Sequence, residues 1–168
     1  ADMDVGMLGA NGIVGGGPPL ATGAALAAKL DGKGSVAVSF GGDGSCNQGT
    51  VFEAMNIAAI LNLPSIFVYE NNRYSEHTHC DYVIASESIA SRVEGFGIHT
   101  VKANGFDFFE VHEVMKELLA KAREGNGPCA VEFETTRFYG HFEGDPQNYR
   151  AQDELKNDRE NNDCITIF

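Results

Sequence analysis

The stretch GDGSCNQGTVFEAMNIAAILNLPSIFVYENNRY (42–74) decides the fold. Its ends are two polar turns, Gly42-Asp43-Gly44 and Asn71-Asn72, with 26 residues between them. Each turn follows a short apolar run, SVAVSF (35–40) or SIFVYE (65–70), that reads as a strand. Between the runs, Phe52, Met55, Ala59 and Leu63 recur at helical steps, which predicts a helix over 48–62. Strand, helix and strand within about 30 residues make one βαβ crossover. Asp43 and Asn72 lie 29 residues apart, so the crossover brings both turns to one edge of a parallel sheet. Ligands of such sheets bind outside the carboxyl ends of the strands.

Working outward, Pro18 and Pro19 suit the first turn of a helix that the Ala-rich stretch 20–30 continues. A glycine loop, 9–17, precedes it. After the second turn come an irregular stretch over 71–86, a short helix over 87–95 and a strand near 98–102. Phe108, Val111, Met115, Leu118 and Ala122 then line one face of a helix over 108–124, ended by Gly125 and Gly127. A fourth strand, CAVEFETT (129–136), leads into a long loop over 137–150, and 152–161 reads as a charged helix. The expected fold is α/β, a parallel sheet with flanking helices. Residues 1–150 form the expected ligand-binding domain and 151–168 a charged C-terminal helix or tail.

The 168 residues suffice for one domain with a real core. A net charge of −12 without any Lys/Arg cluster argues against nucleic acid. The apolar share is 43%, but no run is long enough to span a bilayer, and the start shows no secretory signal. Four scattered cysteines without a CxxC pair read as reduced thiols, hence a cytoplasmic or organelle-matrix setting. The chain opens on Ala1 and runs directly into a glycine loop, so a beginning that lies elsewhere is expected.

Asp43 and the asparagine pair supply a carboxylate and amide oxygens, ligands for a hard divalent cation. Glycines permitting positive φ beside Asp43, with the free N–H groups of the helix that starts near Gln48, suit a diphosphate. An ordinary βα turn would also carry Gly and Asp, and paired asparagines often only make turns. The combination of acidic turn, amphipathic helix, apolar strand and amide turn points to a cation–diphosphate site. His77, His79 and Cys80 resemble metal ligands, but no fourth ligand is evident and a surface loop is the better reading. His112 reads as solvated, and His99 has no nameable partner. His141 lies in a Gly-flanked loop at the ligand edge, where it can donate to a phosphate or shuttle a proton; a polar surface loop is the plainer alternative.

The segment 42–74, with its GDG followed by NN, resembles the thiamine-diphosphate motif. More narrowly it is similar to the α subunits of the first component of 2-oxo acid dehydrogenase complexes. The segments GANGIVGGGPPLATGAALA (9–27) and TRFYGHFEGD (136–145) extend the resemblance. GHFEGD and RENNDC point most toward the acetoin dehydrogenase branch, with the pyruvate and branched-chain branches as alternatives.

The resemblance implies a thiamine-diphosphate-binding fold in which Asp43, the Asn72 amide and the Tyr74 carbonyl hold Mg2+. It implies that Gly44 and Ser45 meet the diphosphate through the backbone, that Gly12 and Val14 contact the aminopyrimidine, and that His141 assists acyl transfer. The implied reaction is oxidative cleavage of acetoin with acetyl transfer to a lipoyl group. The implied partners are a β subunit, in an α2β2 heterotetramer, and a lipoyl-bearing acyltransferase. The glutamate that activates the cofactor belongs in this family to the β subunit, so the chain alone is expected to be inactive. Family α subunits are also longer, with further diphosphate contacts upstream. Phe142 replaces the regulatory serine that follows the loop histidine in eukaryotic pyruvate dehydrogenases. Two further readings are a nucleotide kinase, since NAD kinases also place GGDG after a strand, and a non-catalytic assembly module. The kinase reading has no use for Asn71-Asn72 or His141.

Overall fold

The computed structural model describes residues 1–151 and 153–168, so the expected start of the last helix at Gln152 lies outside the described residues. Helix α1 (Gly17–Asp31) starts on the two prolines, which need no N–H partner in a first turn, and stops at Gly32 in the left-handed region. Strand β1 (Ala37–Gly42) follows, then a 3-10 turn over Ser45–Asn47 and α2 (Gly49–Ile60). Strand β2 (Ser65–Asn71) leads to a small antiparallel hairpin, β3 (Tyr74–Ser75) with β4 (Thr78–His79). Helix α3 (Ile89–Glu94) begins at a Ser88–Ser91 capping box. It precedes β5 (His99–Asn104), α4 (Phe108–Arg123), capped by Asp107, and β6 (Cys129–Glu134). Helices α5 (Glu154–Asn161) and α6 (Cys164–Ile167) end the chain.

The sheet order is β1-β2-β6-β5, with all three pairings parallel. The chain moves across the sheet from β1 to β5 and then turns back to insert β6. Right-handed crossovers therefore put α4 on the face opposite α2 and α3. Phe67, Tyr69 and Ala130 pack on one side with Val51, Met55, Ile89 and Val93. Ile66, Val68, Val131 and Phe133 pack on the other with Leu118 and Ala122. No helix among the described residues is long and apolar enough to cross a membrane. The four cysteines are unpaired, three of them buried.

Several expectations shift. Strand β1 runs on through Gly41 and Gly42, because its ladder with β2 continues to the Gly42–Glu70 pair. The buried face of α2 is Val51, Ala54, Met55 and Ala58, while Phe52 and Ala59 are half-buried. Sandwiching between the sheet and α1 rotates that face toward Val51 and Ala58. Phe108 is exposed rather than in the core and meets Phe109 and Phe168 edge-on. The stretch 71–86 holds the β3–β4 hairpin, and α6 is an additional element.

Candidate cation–diphosphate site

Asp43 follows the last residue of β1, and Asn72 follows the last residue of the adjacent parallel β2. The expected convergence on one sheet edge is therefore observed. Asp43 is 1% exposed, and its Oδ2 has no hydrogen-bond partner among the described residues. Burial raises its pKa above the ordinary carboxylate value, against its backbone hydrogen bond and the nearby Arg137 and His79, which lower it. A buried, unpartnered carboxylate oxygen is costly unless a cation completes it. The donor set thus fits a hard divalent ion.

The glycines beside Asp43 act differently from expectation. Gly41, Gly42 and Gly44 are absent from the residues with positive φ, and Gly44 is right-handed helical. Gly41 and Gly44 are required for space, whereas a Cβ on Gly42 would meet only an ordinary contact with Glu70 O at 3.9 Å. A Cβ on Gly41 would come within 2.7 Å of Ser45 Oγ, and one on Gly44 would overlap Ser75 Oγ and Cβ. Ser45 Oγ donates to Gly42 O at 2.8 Å, which closes the turn and leaves the Ser45 backbone at the start of the 3-10 turn. Cys46 donates to Asp43 O at 2.8 Å, and burial pushes its thiol up to about 11. Arg92 reaches in from α3 to Asn47 Oδ1 at 2.7 Å. Helix α2 begins after Gln48 without a side-chain cap, which leaves its first N–H groups available.

The asparagines form two successive Asx turns. Asn71 Oδ1 accepts from Arg73 N, and Asn72 Oδ1 from Tyr74 N, both at 3.0 Å. Arg73 sits at φ 68, a left-handed position for a non-glycine residue. The Tyr74 carbonyl accepts from Arg137 Nη1 at 3.4 Å, while its ring is buried under the Arg150 guanidinium at 4.6 Å. A cleft of about 620 Å³ opens beside this turn, lined by Asn72, Tyr74, His79, Lys102, Glu132 and Arg150 among others.

Gly12 and Val14 are exposed and lie apart from that cleft. Val14 lines a separate hollow with Gln48 and Thr50, where the glycine loop is tied to α2 by Thr50 Oγ1 donating to Gly15 O at 3.2 Å. His141 is exposed, with Nδ1 3.5 Å from Arg137 Nη1. Its loop folds around Asp145, which accepts from His141 N at 2.8 Å, Gln147 N at 2.9 Å and Tyr149 Oη at 2.6 Å. Burial alone would raise the Asp145 pKa, but those donors hold it at about 2. His79, Cys80 and Asp81 bring ligand atoms within 4.8 Å of one another. His77 points elsewhere, its ring tilted at 45° against that of Tyr149. Sequence reasoning missed Arg137, Asp145, Ser75 and Glu132. Glu132 carried a visible signal, a charge inside the apolar run CAVEF.

The α/β fold, a parallel sheet with acidic and amide turns on its carboxyl edge, is similar to that of transketolase. Transketolase from Leishmania mexicana superposes with a TM-score of 0.60 at 25% identity, over 75% of this chain and 20% of that one. The model of the family described as "Dehydrogenase E1 component" matches residues 2–168, and the chain belongs to that thiamine-diphosphate-dependent family. It is 55% identical to the α subunit of acetoin:2,6-dichlorophenolindophenol oxidoreductase from Cupriavidus necator, over all of this chain and 50% of the relative. The corresponding Bacillus subtilis subunit is 48% identical over the same shares. The somatic, mitochondrial pyruvate dehydrogenase E1 α subunit of Bos taurus is 41% identical, over 95% of this chain and 41% of that protein. The chain thus spans about half the length of the curated relatives it matches.

Proposed function

We propose that this chain is the cofactor-holding part of an acetoin dehydrogenase α subunit and binds the diphosphate of thiamine diphosphate through Mg2+. The buried, unpartnered Asp43 Oδ2 at the sheet edge, next to the Asn72 turn, carries the reading. In it Asp43, the Asn72 amide oxygen and the Tyr74 carbonyl hold the cation. The Gly44 and Ser45 backbone and the first turn of α2 meet the phosphates. Gly12 and Val14 face the aminopyrimidine, and His141 moves a proton near the diphosphate. When bound, thiamine diphosphate supplies the carbon nucleophile for cleaving a bond next to a carbonyl. The reading includes a β subunit in an α2β2 assembly, a lipoyl-bearing acyltransferase as acetyl acceptor, and a cytoplasmic setting.

Acetoin is preferred over pyruvate on the higher identity to the acetoin relatives, 55% against 41%. Calorimetry with thiamine diphosphate and Mg2+ tests the cofactor assignment. Binding that disappears in Asp43→Ala, with an unchanged circular dichroism spectrum, is expected, and binding that survives would refute the site. Comparing acetoin with pyruvate as substrates of the assembled complex separates the two dehydrogenase branches.

A further inference from the structure

Glu132 stands in the middle of β6, between Tyr69 of β2 and Lys102 of β5, and is 1% exposed. A carboxylate in that position needs donors on both oxygens. Asn71 Nδ2 donates to Oε1 at 2.7 Å, and Ala90 N, in the first turn of α3, donates to Oε2 at 2.9 Å.

The first of these bonds has a directional effect. Glu132 accepts, so the Asn71 amide must turn its NH2 toward the sheet. Its carbonyl oxygen then points the other way, where it receives Arg73 N at 3.0 Å. That bond supports Arg73 at φ 68, the left-handed step between Asn72 and Tyr74. If the Asn71 amide were reversed, its NH2 would confront the Arg73 N–H, two donors face to face. The carboxylate on β6 therefore selects the one amide orientation compatible with the turn. At the same time it ties that turn to α3.

We infer that Glu132 is a positioning residue: it orients the Asn71 side chain and so shapes the 71–74 turn that presents Asn72 and Tyr74 to the cation. The inference rests on the proposed role of Asn72 and Tyr74. Its first test is independent of any ligand.

The hydrogen-bond logic supplies a rescue. In Glu132→Gln the fixed Ala90 N–H keeps the amide oxygen on its side, which turns the NH2 on Asn71, so Asn71 must reverse or leave two donors opposed. Adding Asn71→Asp inverts the bond. The new amide on β6 then donates, the new carboxylate at the end of β2 accepts, and the second oxygen of that carboxylate still receives Arg73 N.

Amide hydrogen exchange of the full chain without cofactor is the first readout. Glu132→Gln should speed exchange at Arg73 by about tenfold or more, the size of one lost hydrogen bond to a charged network, and the double variant should return it to within about threefold of the parent. Parental exchange in Glu132→Gln, or a double variant no better than the single, overturns the inference. If Glu132→Gln does not fold, the double variant decides alone. Folded with parental exchange at Arg73, it supports the pairing; unfolded or fast-exchanging, it refutes it.

The second readout is the Mg2+ concentration that half-saturates thiamine diphosphate binding. It should rise about tenfold in Glu132→Gln and recover in the double variant, whereas a Glu132 that merely filled the core would change the melting temperature and leave the Mg2+ dependence alone. A parent chain that binds no cofactor would refute the proposed function, while Arg73 exchange would still decide the orientation of Asn71.

Discussion

Gly44, next to Asp43, and Ser75 face each other with no room for another carbon between them. Ser75 belongs to the β3–β4 hairpin, and Gly44 to the turn after β1. The close approach locks the hairpin against the acidic turn. Gly44→Ala should therefore push the hairpin away and weaken cofactor binding. Ser75→Gly in the same chain should restore it by clearing the overlapping atoms. Calorimetric titration of the two variants checks this, and failure of the rescue would mean that the glycine is needed for another reason.

Burial of the Asp43 carboxylate costs stability that a bound cation would offset. Its folded pKa is raised above the ordinary 3.8, so between the unfolded and folded values the native state holds more protons. The stability from this group is thus lost as pH rises through the folded pKa. At neutral pH without cation, Asp43→Asn should melt higher than the parent, by about 2–4 °C for each 1 kcal/mol recovered. The same variant should lose the melting-temperature increase that Mg2+ and thiamine diphosphate give the parent. Differential scanning calorimetry with and without the ligands measures both effects.

Asp145 has the opposite sign. Its pKa is held at about 2, below the ordinary 3.8, so its ordering of the 137–150 loop is fully present above 3.8 and fades as pH falls toward 2. The amide resonances of His141 and Gln147, which donate to this carboxylate, should titrate with a midpoint near 2. In Asp145→Asn that titration should vanish, with faster amide exchange at both positions. A midpoint near 3.8 would contradict the hydrogen-bonded hub.

Leu118 is fully buried between α4 and the sheet, on the face away from the site. Leu118→Ala should cost about 2–5 kcal/mol in urea unfolding. Amide exchange at Arg73, set by Asn71 and Glu132, should change far less under strongly native conditions. Equal acceleration there would indicate that the two faces of the sheet open together.

The order of strands and helices was legible because apolar runs of strand length alternate with helical periodicity, and the 29-residue offset from Asp43 to Asn72 demanded one crossover. Limits of elements were less legible where side chains carry no pattern. Gly42 reads as the start of a turn, yet its backbone, with that of Gly41, extends the ladder to Glu70. The face of α2 shifted because Val51 and Ala58 are as compatible with a core as Phe52 and Ala59, and only packing against α1 and the sheet distinguishes them. Within the site, Asp43 and Asn72 were found from residue type and spacing. The partners that organise them were not, since Glu132 lies 61 residues from Asn71 and Arg137 lies 63 from Tyr74. Such pairings exist only once the sheet has closed.

The strand order has a consequence for how the molecule is made. Among the described residues β6 is the last strand, but it sits between β2 and β5. During synthesis from the amino end, β2 and β5 have no common neighbour until residues 129–134 emerge. Glu132, and the loop carrying Arg137 and His141, arrive with that strand or after it. A nascent chain halted before residue 129 would already contain Asp43, Asn72 and Tyr74 on the paired β1 and β2, yet would lack Glu132 and the strand that joins β5 to them. Closure of the four-stranded sheet therefore waits for residues 129–134, while the β1–β2 pair that carries Asp43 and Asn72 can form before them.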